Sequence, residues 1–406
     1  MKKSIADLDP TLLAGRTVLV RADLNVPMEQ DVISDDQRVR ASLPTLQLLM
    51  DAGARTVVLS HFGRPGGEAN PEYSLRPVAE HLTALLGVAV GFVDVPVGQG
   101  GEAVIADLRD GELALLENTR FFPGDTENDG ALAEGWAALG DVFVNDAFGA
   151  AHRAHASTSG LAEAVRARGG IAVAGLLMAR ELRFLGDAME RPARPFVAIL
   201  GGAKISGKID VISALLPRVD KLLVGGAMAN TFFRAQGYDT GSSLVEPDRI
   251  KMARDLLNRA GSKLVLPVDC VVTDRIENGA DTRIVTVDTV GADDKIVDVG
   301  PATVAQFRAT VSAAKTILWN GPMGVFEIPA FAMGTIEVAR AVADACDHGA
   351  LGVIGGGDSA AAAEDAGVAA RLSHVSTGGG ASLELLAGRL LPGVETLNDK
   401  DDSLWP

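Results

Sequence analysis

Ten short runs of Val, Ile and Leu, separated by stretches with helical spacing, limit this chain more than any other feature. They are TVLVRADLNVP (17–27), TVVLSHFGRP (56–65), LALLENTRFF (113–122), VFVNDAFG (142–149), FVAILGG (196–202), KLLVGGAMAN (221–230), KLVLP (263–267), TILWNGPMG (316–324), LGVIGGGDS (351–359) and SHVSTGGG (373–380). Near-continuous apolar strands alternating with helices predict parallel sheets covered on both faces, a doubly wound α/β architecture. Ten strands suit two such sheets better than one, and 406 residues are enough for two domains. The break is expected near 170–195. There GGIAVAG (169–175) precedes a helix-like stretch with Leu176, Leu177, Leu182, Leu185 and Met189 on its apolar side. The prolines of RPARP (191–195) then stop any helix. The tail NDKDDSLWP (398–406) is polar until its end and is expected to be partly disordered.

In open α/β sheets, ligands bind beyond the carboxyl ends of the strands, so the residues after each run carry the functional signal. In the first half these are Arg21, Asp23 and Asn25, then His61 and Arg64, then Arg120, then Asn145 and Asp146, with His152, Arg153 and His155 just after. Arg38 lies on the segment following the first run. In the second half they are glycines: Gly201 and Gly202, Gly225 and Gly226, Gly321, Gly355 to Gly357, and Gly378 to Gly380. Guanidinium forks match carboxylate and phosphate oxygens, so converging arginines suit a small, multiply charged anion. Glycines let backbone approach phosphates, and helix N-termini add oriented N–H groups. One arginine after a strand is usually a solvated residue, and a glycine pair is often only a turn. Arginines at successive strand ends are harder to explain that way. The pattern points to an anionic metabolite in one half, a nucleotide in the other, and phosphoryl transfer between them.

The bulk composition excludes several other classes. A net charge of −16 argues against a nucleic-acid binder, while local cations can still hold a small anion. Two cysteines, Cys270 and Cys346, are too few for a disulfide framework and fit a reducing cytoplasm. No long uncharged apolar run offers a membrane span, and MKKSIADLDP makes a poor signal peptide.

Three motifs invite other readings. Gly202, Gly207 and Lys208 fill three positions of a G-x-x-x-x-G-K-[ST] phosphate loop, but Ile209 stands where a magnesium-binding hydroxyl belongs. GGGDSA (355–360) reads as the dinucleotide fingerprint, yet HVSTGGG further on has no acid to hold a ribose. Asp358 would repel a pyrophosphate there unless a cation lies between them, which favours a metal-bound nucleotide. His152 and His155 have the spacing of a metal pair but lack further ligands nearby.

Together RADLNVP, SHFGRP, LLENTRF, NDAFGAAHRAHAST, LGGAK, WNGPMGVFE, GGGDS and STGGGASLE resemble phosphoglycerate kinase, in order and spacing, from about residue 15 to about 390. The resemblance implies two Rossmann-like doubly wound parallel-sheet domains joined by a hinge helix. They are 1–172 with the returning segment 389–406 for phosphoglycerate, the hinge helix 173–190, and 191–388 for the nucleotide. It implies a cytoplasmic, monomeric enzyme that moves a phosphoryl group between 1,3-bisphosphoglycerate and MgADP, giving 3-phosphoglycerate and MgATP. Carried over by motif, Asp23, Asn25, Arg38, His61, Arg64, Arg120 and Arg153 are similar to the family's phosphoglycerate site. Lys204, Lys208, Asn320, Glu327, Gly356, Gly357, Asp358 and Ser359 are similar to its nucleotide site. The expected catalytic groups are Arg38, Lys204 and the amides of Gly378, Gly379 and Gly380, with Asp358 holding Mg2+ and Glu327 the ribose hydroxyls. Hinge closure is expected to join the two sites and exclude water. The sequence departs from the family pattern at Leu24, often Phe, and at Ser359, often Thr. Residues 278–299 lack the family's more aromatic version, which leaves the adenine-side contacts open.

Overall fold

The computed structural model describes residues 1–29, 32–94 and 101–402, with backbone alone at 101, 187, 189 and 190. The chain divides into two compact units, Met1–Leu182 with Leu390–Pro406, and Arg183–Arg389. The first contains β1 (Thr17–Arg21), a hairpin of β2 (Met28–Glu29) and β3 (Val32–Ile33), β4 (Arg55–Leu59), β5 (Val90–Val93), β6 (Leu113–Leu116), β7 (Val142–Asn145) and β8 (Ile171–Ala174). Apart from the hairpin these form one six-stranded parallel sheet in the order β5-β6-β4-β1-β7-β8. Helices cover it because its strands are apolar on both sides: Val18, Val20, Val58, Leu115, Val144 and Val173 share one core with Val39, Leu46 and Leu49 of the helix Gln37–Asp51. In register, Arg21 lies beside Leu59 on one side and Asn145 on the other, so the polar residues after these strands emerge at one edge.

The second unit contains β9 (Phe196–Leu200), β10 (Lys221–Val224), β11 (Leu264–Val265), β12 (Asp269–Thr273), β13 (Arg283–Thr286), β14 (Lys295–Val299), β15 (Thr316–Asn320), β16 (Leu351–Gly355) and β17 (His374–Val375). Its six-stranded parallel sheet runs β11-β10-β9-β15-β16-β17. The chain winds outward from β9 to β11, then crosses to β15 and winds the other way. The crevice between β9 and β15 is therefore the topological switch point, where such sheets hold ligands. A smaller antiparallel sheet, β13-β12-β14, belongs to the same unit.

Each of the ten apolar runs contains a strand, and both units are doubly wound α/β structures. The runs omit two strands of the first sheet. Gly91 interrupts the apolar character of β5, an edge strand of mostly half-buried residues, and β8 is four small or branched residues inside GGIAVAG. The joining helix runs Leu176–Glu190, so residues 173–175 belong to the end of β8 and the turn after it. Met189, expected on that helix's apolar side, lies outside the described side chains. The tail differs from expectation up to residue 402. Asn398 exchanges hydrogen bonds with the backbone of Ala172, its carbonyl accepts the Lys3 amide at 2.8 Å, and the Lys400 amide donates to Met1 at 2.9 Å. A polar segment can be ordered when its polar groups complete a sheet edge; residues 403–406 lie outside the described residues.

Candidate functional site

In the first unit, two asparagines tie the loops beyond β1, β4 and β6 together. Asn118 caps the turn Thr119–Phe121: its Oδ1 accepts the amides of Arg120 and Phe62, both at 3.0 Å. Its Nδ2 donates to the carbonyls of Phe62 (2.7 Å) and Tyr73 (2.9 Å), so one buried amide fixes the loops after β4 and β6. Asn25 Oδ1 accepts the Gly63 amide at 2.9 Å, and its carbonyl accepts Arg38 Nη1 at 2.8 Å. Arg38 also stands 3.5 Å from Asp23, and Arg120 donates to the Gly63 carbonyl at 2.6 Å.

These loops carry a dense group of cations. Arg64, Arg120, Arg153 and His155 line one cavity of about 550 Å³. Arg21 lies beneath, completely buried, donating from Nε to Ser157 Oγ at 3.0 Å and from Nη1 to the Ala22 carbonyl. Its Nη2 is 3.1 Å from His61 Nδ1. A guanidinium can only donate, so His61 Nδ1 must accept, and its remaining proton sits on Nε2 as a donor. Burial, then Arg21, Arg120 and Arg38, hold the His61 pKa well below its ordinary value. Burial foremost, with Arg21, Arg120 and Arg153 adding and Asp125 opposing, pushes His155 down to about 4. Both imidazoles are neutral at pH 7, and the positive field comes from guanidiniums. Asp125 is the buried counter-charge: Oδ1 accepts the Ser157 amide at 3.0 Å, and Oδ2 has no hydrogen-bond partner among the described residues. Asp23, Asp125 and Glu127 are outnumbered there by Arg21, Arg38, Arg64, Arg120 and Arg153, which leaves the site positive, as a multiply charged anion needs.

In the second unit the loops after β9, β10 and β15 pack backbone against backbone. The Gly202 amide donates to Pro322 at 2.9 Å, the Gly226 amide to Met323 at 2.9 Å, and the Met228 amide to Gly202 at 3.0 Å. Gly321 has φ 98°, and a Cβ there would run into the Gly201 carbonyl; at Gly226 a Cβ would meet the Gly202 backbone. Only glycines allow this approach. Beside these loops lies a cavity of about 280 Å³. Its walls include Gly202, Phe233, Leu244, Val297 and Met323, and both Glu327 and Asp358 line it. Apolar walls beside glycine amides and exposed carboxylates suit a nucleotide.

The remaining predicted residues sit around this cavity in different ways. Lys204 is exposed in the loop after β9, near Glu246, whose pKa is lowered against the effect of burial chiefly by hydrogen bonds from Ser206, with Lys204 adding. Lys208 Nζ donates to the Asn320 carbonyl at 2.8 Å and to Asn320 Oδ1, while Asn320 Nδ2 donates to Gly355 at 2.7 Å. Burial foremost, with Asp358 opposing, lowers the Lys208 pKa to about 8. Asn320 is thus fully engaged below the loops, outside the cavity lining. Ser359, also buried, accepts the Gly321 amide at 2.6 Å and fixes that turn. Gly356, with φ 95°, precedes the helix Gly357–Asp365, which places Asp358 at its first turn. Gly378 donates to Ser376 Oγ at 3.1 Å, and Gly379 and Gly380 begin the helix Gly380–Leu386.

Asp358 bears on magnesium. Among the described residues no three His, Cys, Asp or Glu side chains gather into a metal cage. A single exposed carboxylate at the cavity wall fits an ion that brings its other ligands as phosphate and water. The sequence model of the family described as phosphoglycerate kinase matches residues 5–389. The chain belongs to the phosphoglycerate kinase family. A phosphoglycerate kinase from Chloroflexus aurantiacus is 52% identical over 406 residues, covering 98% of this chain and 100% of its own. One from Lactobacillus johnsonii is 50% identical over 407 residues, with the same coverage. Among solved structures, phosphoglycerate kinase from Coxiella burnetii superposes with a TM-score of 0.87 at 40% identity, and that from Pyrococcus horikoshii with 0.83 at 32%, each over 98% of both chains. Within residues 278–299, β14 contributes Ile296, Val297 and Val299 to the cavity wall. Sequence reasoning missed Asn118, Asp125 and Ser157. Asn118 before Thr119 is a capping signature; Asp125 and Ser157 carry no local signal.

Proposed function

We infer that this chain catalyses the reaction of its family: reversible transfer of a phosphoryl group between 1,3-bisphosphoglycerate and MgADP, giving 3-phosphoglycerate and MgATP, in glycolysis and gluconeogenesis. The observation that carries the reading is the cavity of the first unit lined by Arg64, Arg120 and Arg153, beside which His61 and His155, with their lowered pKa values, are only weak general bases. In the ATP-consuming direction none is required, because the attacking carboxylate of 3-phosphoglycerate is already ionised at pH 7. Catalysis then consists of positioning and neutralising charge.

In this reading Arg64, Arg120 and Arg153 grip the phosphate of phosphoglycerate, and His61 donates from Nε2. Asp23 and Asn25 hold Arg38, which orients the carboxylate and neutralises the group in flight. Lys204 assists from the nucleotide side and Lys208 faces the phosphates. Glu327 accepts the ribose hydroxyls, Gly356, Gly357 and Ser359 shape the phosphate turn through Asn320, and the amides of Gly378 to Gly380 cap the transferring oxygens. Asp358 would hold Mg2+, which when bound offsets the charge of the nucleotide phosphates. Closure about the helix Leu176–Glu190, which joins the sites and excludes water, is part of the proposal. So are a monomeric state and a cytoplasmic location; no helix among the described residues is long and apolar enough to cross a membrane.

The test supplies MgATP and 3-phosphoglycerate and follows 1,3-bisphosphoglycerate through an NADH-consuming dehydrogenase. Turnover is expected. Folded protein that binds ADP without turnover would reduce the reading to a nucleotide-binding protein on this fold.

A further inference from the structure

We propose that Asp298 is a positioning residue for the nucleotide, a carboxylate that clamps both ends of the loop carrying Glu327. It rests on the reading of Glu327 given above. Asp298 is on β14 and lines the nucleotide cavity, yet it is only 2% exposed, and both its oxygens are taken by backbone. Oδ1 accepts the Val299 amide at 2.9 Å, and Oδ2 accepts the Gly334 amide at 2.6 Å. Two glycines make room for it. A Cβ on Gly324 or on Gly334 would collide with Asp298 Oδ1.

Gly324 and Gly334 bracket the segment in which Glu327 sits. Between them the Val325 amide donates to the Val297 carbonyl at 2.8 Å. Phe331, Val325 and Ile328 pack against Val297 and Ala280. Glu327 stands exposed between those anchors and lines the cavity. Asp298 therefore touches the loop at its start and at its end, while β14 holds its middle. Through this loop it sets where the Glu327 carboxylate meets a ribose.

No cation pairs with Asp298 among the described residues, and burial pushes its pKa up to about 7. A buried, unpaired carboxylate that works against stability and borders a ligand cavity is the kind of group retained for function. One hydrogen bond reaches the loop, at Gly334, while the other, from Val299 on the same strand, fixes the carboxylate in the orientation that serves it. Asparagine has the same shape but supplies one acceptor, so whichever way its amide turns, either Val299 or Gly334 loses its partner.

The experiment compares MgADP affinity by calorimetry in the parent, D298N, E327Q and the double variant, with thermal melts at pH 8. D298N should raise the MgADP Kd five- to tenfold in the parent but less than twofold on the E327Q background. It should melt no lower than the parent, because it removes a buried charge. In the coupled assay its KM for MgATP should rise while the KM for 3-phosphoglycerate and kcat stay within twofold. Gly334→Ala, which displaces the loop without altering the charge, should give the same rise. An unchanged Kd, an equal effect on the E327Q background, or matching losses for both substrates would overturn the proposal. The calorimetry needs no turnover, so failure of the kinase reading would show separately, as an inactive parent.

Discussion

Replacing Lys208 by Met should change how stability depends on pH, and the structure gives the size of the change. Lys208 is half-buried and its ammonium donates to Asn320, with its pKa drawn by desolvation from 10.5 down to about 8. Holding a proton at about 8 instead of 10.5 corresponds to about 3 kcal/mol against the charged folded form at pH 7. The sign follows from the proton count. Between pH 8 and 10.5 the unfolded chain binds a proton on this lysine that the folded chain does not, so stability rises with pH across that window. Relief of the Lys208 penalty begins as pH rises through 8 and is complete only above 10.5. From pH 7 to 9.5 it amounts to about 2 kcal/mol. K208M has no such proton. The difference in unfolding free energy between parent and K208M, from urea titrations at the two pH values, should therefore shift by about 2 kcal/mol in favour of the parent at the higher pH.

The same variant tests what the buried charge is for. At pH 7 the gain from removing it is partly offset by two lost hydrogen bonds to Asn320, about 1 kcal/mol each, so K208M should be slightly more stable than the parent. MgADP binding should nevertheless weaken about tenfold or more, the cost of one charge-assisted contact to phosphate. Parallel pH profiles for the two proteins would refute the burial argument. Unchanged MgADP affinity would refute the phosphate role and leave Lys208 as a pin for the Asn320 turn.

Arg38→Ala should lose most of kcat in the coupled assay while MgADP affinity by calorimetry stays within about twofold, because its contacts, Asn25 and Asp23, belong to the first unit. Gly321→Ala should lower unfolding free energy in urea by about 2–4 kcal/mol, since alanine disfavours φ 98° and its Cβ would strike the Gly201 carbonyl. Asp358→Asn should raise the Mg2+ concentration needed for half-maximal activity about tenfold, with the melting temperature nearly unchanged because the side chain is exposed.

The sheets and the site differ in how far a sequence reveals them, for a geometrical reason. Parallel strands all point one way, so whatever follows an apolar run arrives at one edge, and Arg21, His61, Arg120 and Asn145 could be placed together from order alone. What such reading cannot supply is which of them reach a cavity. Asn320 ends its strand at the same edge, yet it spends its amide on Lys208 and Gly355 and serves the turn beneath. Asp125 and Ser157 were hidden because their partners, Arg21 and each other, are brought close only by the fold.

Burial of a charge can leave a trace in the sequence, as an inconsistency within a segment. In KIVDV a carboxylate interrupts a strand that is otherwise apolar toward its end, and in TVLVR an arginine closes one. Taken alone, each reads as a strand end turning toward water. Both are buried, and each is held because neighbouring groups match its chemistry. The acceptor-only Asp298 meets two amides, and the donor-only Arg21 meets a hydroxyl, a carbonyl and an imidazole nitrogen. A charge that breaks its own strand's pattern is costly unless the fold answers it. Such positions are therefore where function is best sought, ahead of the glycine motifs that first attract attention. Gly202, Gly207 and Lys208 imitate a phosphate loop whose metal residue is missing at Ile209. The proposed metal carboxylate, Asp358, begins a different helix after β16.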